Sequence, residues 1–212
     1  MKNSKLILSS VAILIAIFVA ATYFYKSSKS SEQTQIAKQN MQNLKRDYSY
    51  VLGNKDAKVE LVEFFDPACG SCAYFHPYVK QIMEKNKGKI KLVFRYAPFH
   101  KNSNYAVKML EGARQQGKFL EALEYMYKTQ GSWVVNHVVN PQILYSLLAN
   151  IDLDMDKMAE FMNKDDGDKI IIQDLKDTEK LNITKTPSYY VNGKPLETFS
   201  VKSLEDLINS EL

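Results

Sequence analysis

Two cysteines three positions apart carry the strongest chemical signal in this sequence. Cys69 and Cys72 are its only cysteines, and they lie in residues 66–72 (DPACGSC), directly after an apolar run. A redox-active dithiol needs one exposed, ionised thiol and a second thiol close enough to displace it. A C-x-x-C at a helix start meets both needs, because the unpaired N–H groups and the positive end of the helix dipole stabilise a thiolate. We therefore predict that Cys69 is the attacking thiolate and that Cys72, one turn into the helix, resolves the mixed disulfide.

Metal sites and structural disulfides explain the same cysteines less well. A structural zinc ion needs four ligands, and the chain has no second cysteine pair and only three scattered histidines. A c-type haem attachment requires a histidine directly after the second cysteine, where Ala73 stands. A domain held together by disulfides spreads its cysteines along the chain. We predict no metal and no cofactor beyond the Cys69–Cys72 disulfide itself.

The elements that position the dithiol follow from hydrophobic periodicity. Dense apolar runs predict strands and a 3.6-residue period predicts helices, in the order strand 58–65, helix 72–86 and strand 90–97. A helix-length crossover between two strands implies that they pair in parallel. Helical patterns then fill an insertion at about 101–182. A hairpin with strands 188–191 and 195–198 follows, turning at Asn192-Gly193, and a final helix begins at Ser203.

This pattern resembles the thioredoxin superfamily. Residues 64–72 (FFDPACGSC) look like its active-site segment, Pro77 matches its helix proline, and Thr186-Pro187 stands where the superfamily has a cis-proline. The helical insertion before that proline is similar to the DsbA-like branch, and the resemblance covers about residues 50–212. It implies an α/β thioredoxin-like fold, preceded here by an N-terminal membrane anchor or signal helix, and a thiol:disulfide oxidoreductase activity.

The resemblance also implies roles for further residues. Glu63, inside the first strand, matches a buried acid that trades a proton with Cys72 in the family; the alternative is an exposed carboxylate on an edge strand. Thr186 and Pro187 are expected to bind an extended substrate chain, with the bond between them cis.

The residues between the cysteines depart from the family's best-known oxidant. Gly70-Ser71 forms the active-site loop here, where that oxidant has Pro-His, so this loop lacks the positive charge of a histidine. The direction of exchange (oxidase, isomerase or reductase) stays open.

The N-terminus predicts a location outside the cytoplasm. Residues 6–25 carry no charge and follow Lys2 and Lys5, which is typical of a membrane-spanning helix with a cytoplasmic N-terminus. A cleaved signal peptide ending near Ala21 is the alternative, and we favour the uncleaved anchor of a bacterial inner membrane. We expect a membrane anchor or signal peptide at 1–25, a polar tether in coil at 26–48, and a thioredoxin-like domain at 49–212.

The composition of the chain limits the classes of partner that we predict. A net charge of +4 on 212 residues gives no reason to expect nucleic-acid binding. We predict protein or peptide thiols and disulfides as substrates, a membrane redox partner, and a monomer. The alternative function is a non-enzymatic thioredoxin-like chaperone or scaffold module.

Overall fold

The structure, a computed structural model, describes residues 2–39 and 41–212. Met1 of the predicted leader and Asn40 of the predicted tether lie outside the described residues. The strands are β1 (Tyr50–Gly53), β2 (Val59–Phe65), β3 (Ile90–Tyr96), β4 (Val134–Val135), β5 (Val138–Val139), β6 (Ser188–Val191) and β7 (Lys194–Pro195). The helices are α1 (Lys2–Gln39), α2 (Met41–Leu44), α3 (Gly70–Lys85), α4 (Ser103–Gln115), α5 (Phe119–Lys128), α6 (Gln130–Trp133), α7 (Pro141–Leu148), α8 (Met155–Met162), α9 (Asp166–Lys180) and α10 (Val201–Asn209).

A five-stranded mixed sheet with the order β1-β3-β2-β6-β7 forms the centre of the domain. β2 and β3 pair in parallel, as their connection through α3 predicts, whereas β1–β3, β2–β6 and β6–β7 are antiparallel. The hairpin turns at Asn192 and Gly193, both of which have positive φ. The predicted thioredoxin-like order of strand, helix, strand, helical insertion, hairpin and helix is therefore confirmed.

The two faces of the sheet bury different cores, because successive side chains of a strand point to opposite faces. Leu61 and Phe65 of β2 face the larger core, which includes α3 and the insertion. Val62 and Phe64 face a smaller core. By the same alternation Glu63 points to the face that carries α3, and it is 1% exposed. Central placement of β2 thus puts a carboxylate beneath the C-x-x-C helix.

Several element ends differ from the prediction. Ser203 does not begin the last helix: the cap is Ser200, whose hydroxyl accepts the Ser203 N–H, so α10 starts at Val201, two residues earlier. Residues 188–191 form a strand as predicted, but its partner β7 contains only Lys194 and Pro195 instead of residues 195–198. The edge strand β1 and the small β4–β5 hairpin inside the insertion were not predicted from the sequence.

The N-terminal segment is helical over a greater length than predicted. α1 continues through residues 26–39, where we expected a coil. The stretch contains no glycine or proline, so nothing in it stops a helix that the apolar segment has already nucleated. Within the described residues one helix is long and apolar enough to cross a membrane, with a 22-residue span at Val11–Glu32, a mean hydropathy of 1.6 and none of it buried in the protein.

A buried ionic network fastens the start of the domain to α9. Arg95 of β3 is 0% exposed and donates hydrogen bonds to Asp174 and Asp177 at 2.7 Å each. Arg46, just after α2, donates to both carboxylate oxygens of Asp177 at 2.6 and 2.8 Å. Because every charge has an opposite partner, the network joins three separate chain segments at one point.

Candidate active site at the Cys69–Cys72 dithiol

The dithiol lies where β2 ends and α3 begins. Cys69 is the N-cap residue of α3, and its N–H donates to the backbone oxygen of Asp66 at 2.9 Å. Cys72 lies one turn inside the helix. Both cysteines carry free thiols; Cys69 is 7% exposed and Cys72 is 0% exposed. The structure therefore gives the two sulfurs different access to solvent, with Cys69 as the accessible one.

The environment of the two sulfurs separates their acidities. The pKa of Cys69 falls from 9.0 to about 5, chiefly because the Cys72 thiol hydrogen-bonds to the Cys69 sulfur. Hydrogen bonding by Thr186 and by the backbone N–H groups of Cys72 and Ser71 lowers this pKa as well, against the opposing effect of burial. Burial raises the pKa of Cys72 well above its usual value. One thiolate and one thiol are thus the stable pair at neutral pH.

Glu63 lies buried behind the dithiol, as the family resemblance implied. Burial raises its pKa from 4.5 to about 8, and a hydrogen bond from the Tyr189 hydroxyl to Glu63 Oε1, at 3.0 Å, only partly offsets this. Glu63 Oε2 is buried and has no hydrogen-bond partner among the described residues. The alternative of an exposed edge-strand carboxylate is wrong, because β2 is a central strand. A neutral carboxyl group with one unpaired oxygen can carry a proton in this apolar environment.

The loop before β6 closes over Cys69. The Thr186–Pro187 peptide bond is cis, which confirms the prediction for this bond. Cys69 Sγ lies 3.3 Å from the backbone oxygen of Thr186. Cys69 and Thr186, which are 117 positions apart in the sequence, are thus in contact through the Cys69 sulfur. Binding of a substrate chain by Thr186 and Pro187 stays a prediction.

A groove beside the dithiol is lined by the active-site loop and by aromatic side chains. Gly70 and Ser71 form part of its wall, and its volume is about 440 Å³. Tyr74 on α3 is 62% exposed, and Phe199 stacks on Phe75 with ring centroids 4.1 Å apart. Exposed aromatic rings next to a reactive sulfur form a surface suited to an extended peptide.

Asp66 lies at the centre of a hydrogen-bond cluster beneath the active-site loop, and the sequence did not predict this position for it. Its buried carboxylate accepts the Ala68 N–H at 2.8 Å, the Ser103 hydroxyl, and the His100 N–H at 2.9 Å. His100 Nδ1 lies 2.7 Å from Asp66 Oδ2. The N-cap residue of α4 is Asn102, and Ser103, whose hydroxyl donates to Asp66, is the first residue of the helix.

In the described part of the chain, no group of three or more His, Cys, Asp or Glu side chains is placed to hold a metal ion.

The chain is similar to a known family over most of its length. The family model described as "Thioredoxin" matches residues 45–210, which include the dithiol, Glu63 and the Thr186–Pro187 loop. A relative from Bacillus cereus named "Probable disulfide bond formation protein D" is 27% identical over the whole of this chain and 99% of its own length.

Solved structures and longer relatives extend the comparison. The crystal structure of oxidised BdbD from Bacillus subtilis superposes with a TM-score of 0.68 at 27% identity, covering 77% of this chain and 92% of that one. The Na(+)/H(+) antiporter NhaA 1 of Salinispora arenicola is 26% identical over 168 residues. The chain spans about a quarter of the length of that antiporter (25%).

Proposed function

We propose that this chain, which belongs to the thioredoxin family and within it to the DsbA-like thiol:disulfide oxidoreductases, transfers disulfides to protein substrates through Cys69 and Cys72. The observation that carries the proposal is the asymmetry of the two sulfurs. Cys69 is the accessible one, and its pKa of about 5 makes it a thiolate at neutral pH, whereas Cys72 is fully buried.

The first step is attack on the oxidised protein. A substrate thiolate attacks Cys69 Sγ and forms a substrate–Cys69 disulfide, and the Cys69–Cys72 bond breaks with its electron pair going to Cys72. A second substrate thiolate then attacks the substrate sulfur and displaces Cys69 as a thiolate. The substrate loses two electrons and two protons and gains a disulfide, and the protein gains the dithiol. The low pKa of Cys69 makes it a good leaving group in the second step.

Glu63 handles the proton of the buried sulfur. When Cys72 leaves, its negative charge appears at a position with no exposure to water. The raised pKa of Glu63 keeps its carboxyl group protonated at neutral pH, so it can donate this proton to Cys72. In the reverse direction the same carboxylate accepts the proton of Cys72 as that thiol becomes the attacking group.

The direction that we propose is oxidation of substrate thiols. A stabilised thiolate favours the reduced dithiol over the disulfide, so the oxidised protein tends to pass its disulfide on. The names of the B. cereus relative and of other relatives, disulfide bond formation protein D, support this direction.

We propose a location outside the cytoplasm, and the apolar part of α1 supports it. A bacterial membrane anchor, or a signal helix, at Val11–Glu32 would hold the domain outside the cytoplasm, where disulfides persist. We propose folding proteins with free thiols as substrates, and a membrane-bound oxidant that regenerates the Cys69–Cys72 disulfide.

The test is oxidation of a reduced dithiol peptide by the full chain, prepared in its disulfide form in detergent. The wild type is expected to oxidise one peptide per protein, and Cys69→Ser to oxidise none. Cys72→Ser keeps Cys69 but cannot form the Cys69–Cys72 disulfide, so it is expected to oxidise no peptide either. Equal peptide oxidation by wild type and Cys69→Ser would contradict the proposal and favour a chaperone or scaffold module.

The reduction potential of the couple tests the direction. A value near the oxidising end, about −120 mV, is expected for a protein that oxidises its substrates, whereas about −270 mV is typical of a reductase. A potential at the reducing end would refute oxidation as the direction while leaving disulfide exchange intact.

A further inference from the structure

We propose that His100, held by Asp66, acts as a positioning residue that supplies the Cys69 thiolate with the positive charge that the Gly70-Ser71 loop lacks. The inference rests on the proposed function and deepens it, since it assigns the control of the redox couple to a residue far from the dithiol in sequence. It starts from the hydrogen-bond cluster around Asp66.

Asp66 connects the histidine to the active-site loop. Its backbone oxygen accepts the Cys69 N–H at 2.9 Å, and its carboxylate accepts the Ala68 N–H at 2.8 Å. The carboxylate is 0% exposed, so its position is fixed by these bonds and by the Ser103 hydroxyl. A residue bound to this carboxylate is thereby held next to the N-cap of α3.

His100 is bound to Asp66 in two places. Its backbone N–H donates to Asp66 Oδ2 at 2.9 Å, and its Nδ1 lies 2.7 Å from the same oxygen. A ring nitrogen this close to a buried carboxylate is a donor, and the pairing favours the imidazolium form. The pKa of His100 is raised, first by the hydrogen bond with Asp66 and further by the charge of Cys69.

The coupling between His100 and Cys69 acts in both directions. If the Cys69 thiolate favours the imidazolium, then the imidazolium favours the thiolate by the same factor. The titratable groups that face His100 are Asp66 and Cys69 from the β2–α3 loop, and His137 from the β4–β5 turn. The His137 ring stacks on His100 with centroids 5.5 Å apart. Asp66 and Cys69 both favour a cation at this position.

The redox consequence follows from the charge of the reduced form. Reduction of the Cys69–Cys72 disulfide by two electrons and one proton leaves the Cys69 thiolate and the Cys72 thiol. A cation near Cys69 stabilises this product and not the neutral disulfide, so it makes the couple more oxidising. His100, in the loop after β3, would thus stabilise the Cys69 thiolate with its positive charge. A histidine between the two cysteines would have the same effect.

The test compares His100→Gln with the matched control His137→Gln, both in the full chain. At about pH 6, where an imidazole with a raised pKa is charged, His100→Gln is expected to shift the equilibrium with glutathione about tenfold toward the disulfide form. That shift is about 30 mV for a two-electron couple. The Cys69 pKa is expected to rise by about one unit. At about pH 9 the imidazole is neutral, so variant and wild type are expected to coincide.

His137→Gln is expected to leave the equilibrium unchanged, since His137 stacks on the pair without an ion pair of its own in the described structure. An equal shift in both histidine variants, or a shift in His100→Gln that persists at high pH, would show a packing effect and overturn the inference. His100→Arg, which keeps a cation, is expected to retain the oxidising couple even at high pH.

A measurement on the wild type does not depend on how any variant folds. The pKa of His100, followed by NMR, is expected to be higher in the reduced protein, which carries the thiolate, than in the oxidised protein. Equal values in the two redox states would overturn the inference. Failure of the proposed function gives a different result. In that case Cys69→Ser oxidises the peptide as well as the wild type does, whatever the pKa of His100.

Discussion

Replacement of Glu63 by glutamine is expected to stabilise the folded protein, and increasingly so as the pH rises. The pKa of Glu63 is about 8 in the folded protein, compared with 4.5 for an unperturbed carboxyl group. Between these two values the folded state holds a proton that the unfolded state has lost. The free energy of unfolding therefore falls as pH rises through this window.

The magnitude follows from the shift. One pKa unit corresponds to about 1.4 kcal/mol, so the wild type loses about 3 kcal/mol by pH 7 and about 4 kcal/mol by pH 8 relative to acidic pH. Glutamine removes the titration and keeps an oxygen that can accept from the Tyr189 hydroxyl, which now bonds Glu63 Oε1. We expect variant and wild type to agree within about 1 kcal/mol at about pH 3, where the carboxyl is neutral in both the folded and the unfolded state.

The assay is urea unfolding of the full chain in detergent at several pH values, followed by the fluorescence of Trp133, the single tryptophan, which is fully buried. The protein is kept in its disulfide form, because the lowered pKa of Cys69 adds stability toward high pH in the reduced form and would mask the effect. Glu60→Gln is the control, since Glu60 is on the same strand but pairs with Lys91 at the surface at 3.3 Å. Parallel pH profiles for wild type and Glu63→Gln would refute the reasoning.

Three further outcomes are expected. When alkylation is measured against pH, Cys69 should be labelled with a midpoint near pH 5 and Cys72 should stay unmodified at neutral pH. The reason is that Cys69 is the more exposed and the more acidic of the two thiols. Preferential labelling of Cys72 would reverse the roles of the two cysteines. Arg95→Ala should lower the free energy of unfolding in urea by about 3–5 kcal/mol, since it removes the buried cation that pairs with Asp174 and Asp177. Lys202→Ala, at an exposed pair, should leave the free energy of unfolding nearly unchanged. The protein should stay with membranes through a carbonate wash, and a soluble form beginning at Thr22 would instead indicate a cleaved leader.

The sequence predicted the parts of the site that depend on local pattern. The dense apolar run of β2 and the helical period of α3 were sufficient to place the dithiol at the start of a helix. These features are encoded within a few residues, where hydrophobic periodicity acts. The cis bond between Thr186 and Pro187 was instead implied by the resemblance to the thioredoxin superfamily.

Long-range contacts account for what the sequence did not reveal. The pairing of Asp66 with His100 joins residues 34 positions apart, and no spacing rule predicts it. β1 was missed because its four residues are too few to show a strand period, and only the antiparallel pairing with β3 makes them a strand. The burial of Glu63 depended likewise on β6, which pairs with the other edge of β2 and makes it a central strand.

The cluster around Asp66 also constrains how this sequence can diverge. Three donors from separate segments converge on one buried carboxylate: the Ala68 backbone, His100 and Ser103. A change of Asp66 alone leaves the imidazole and the hydroxyl without their acceptor, and a change of His100 alone leaves the carboxylate with less compensation for its buried charge. In related chains, positions 66, 100 and 103 are therefore expected to be inherited as a set and to be replaced together when any one of them is lost.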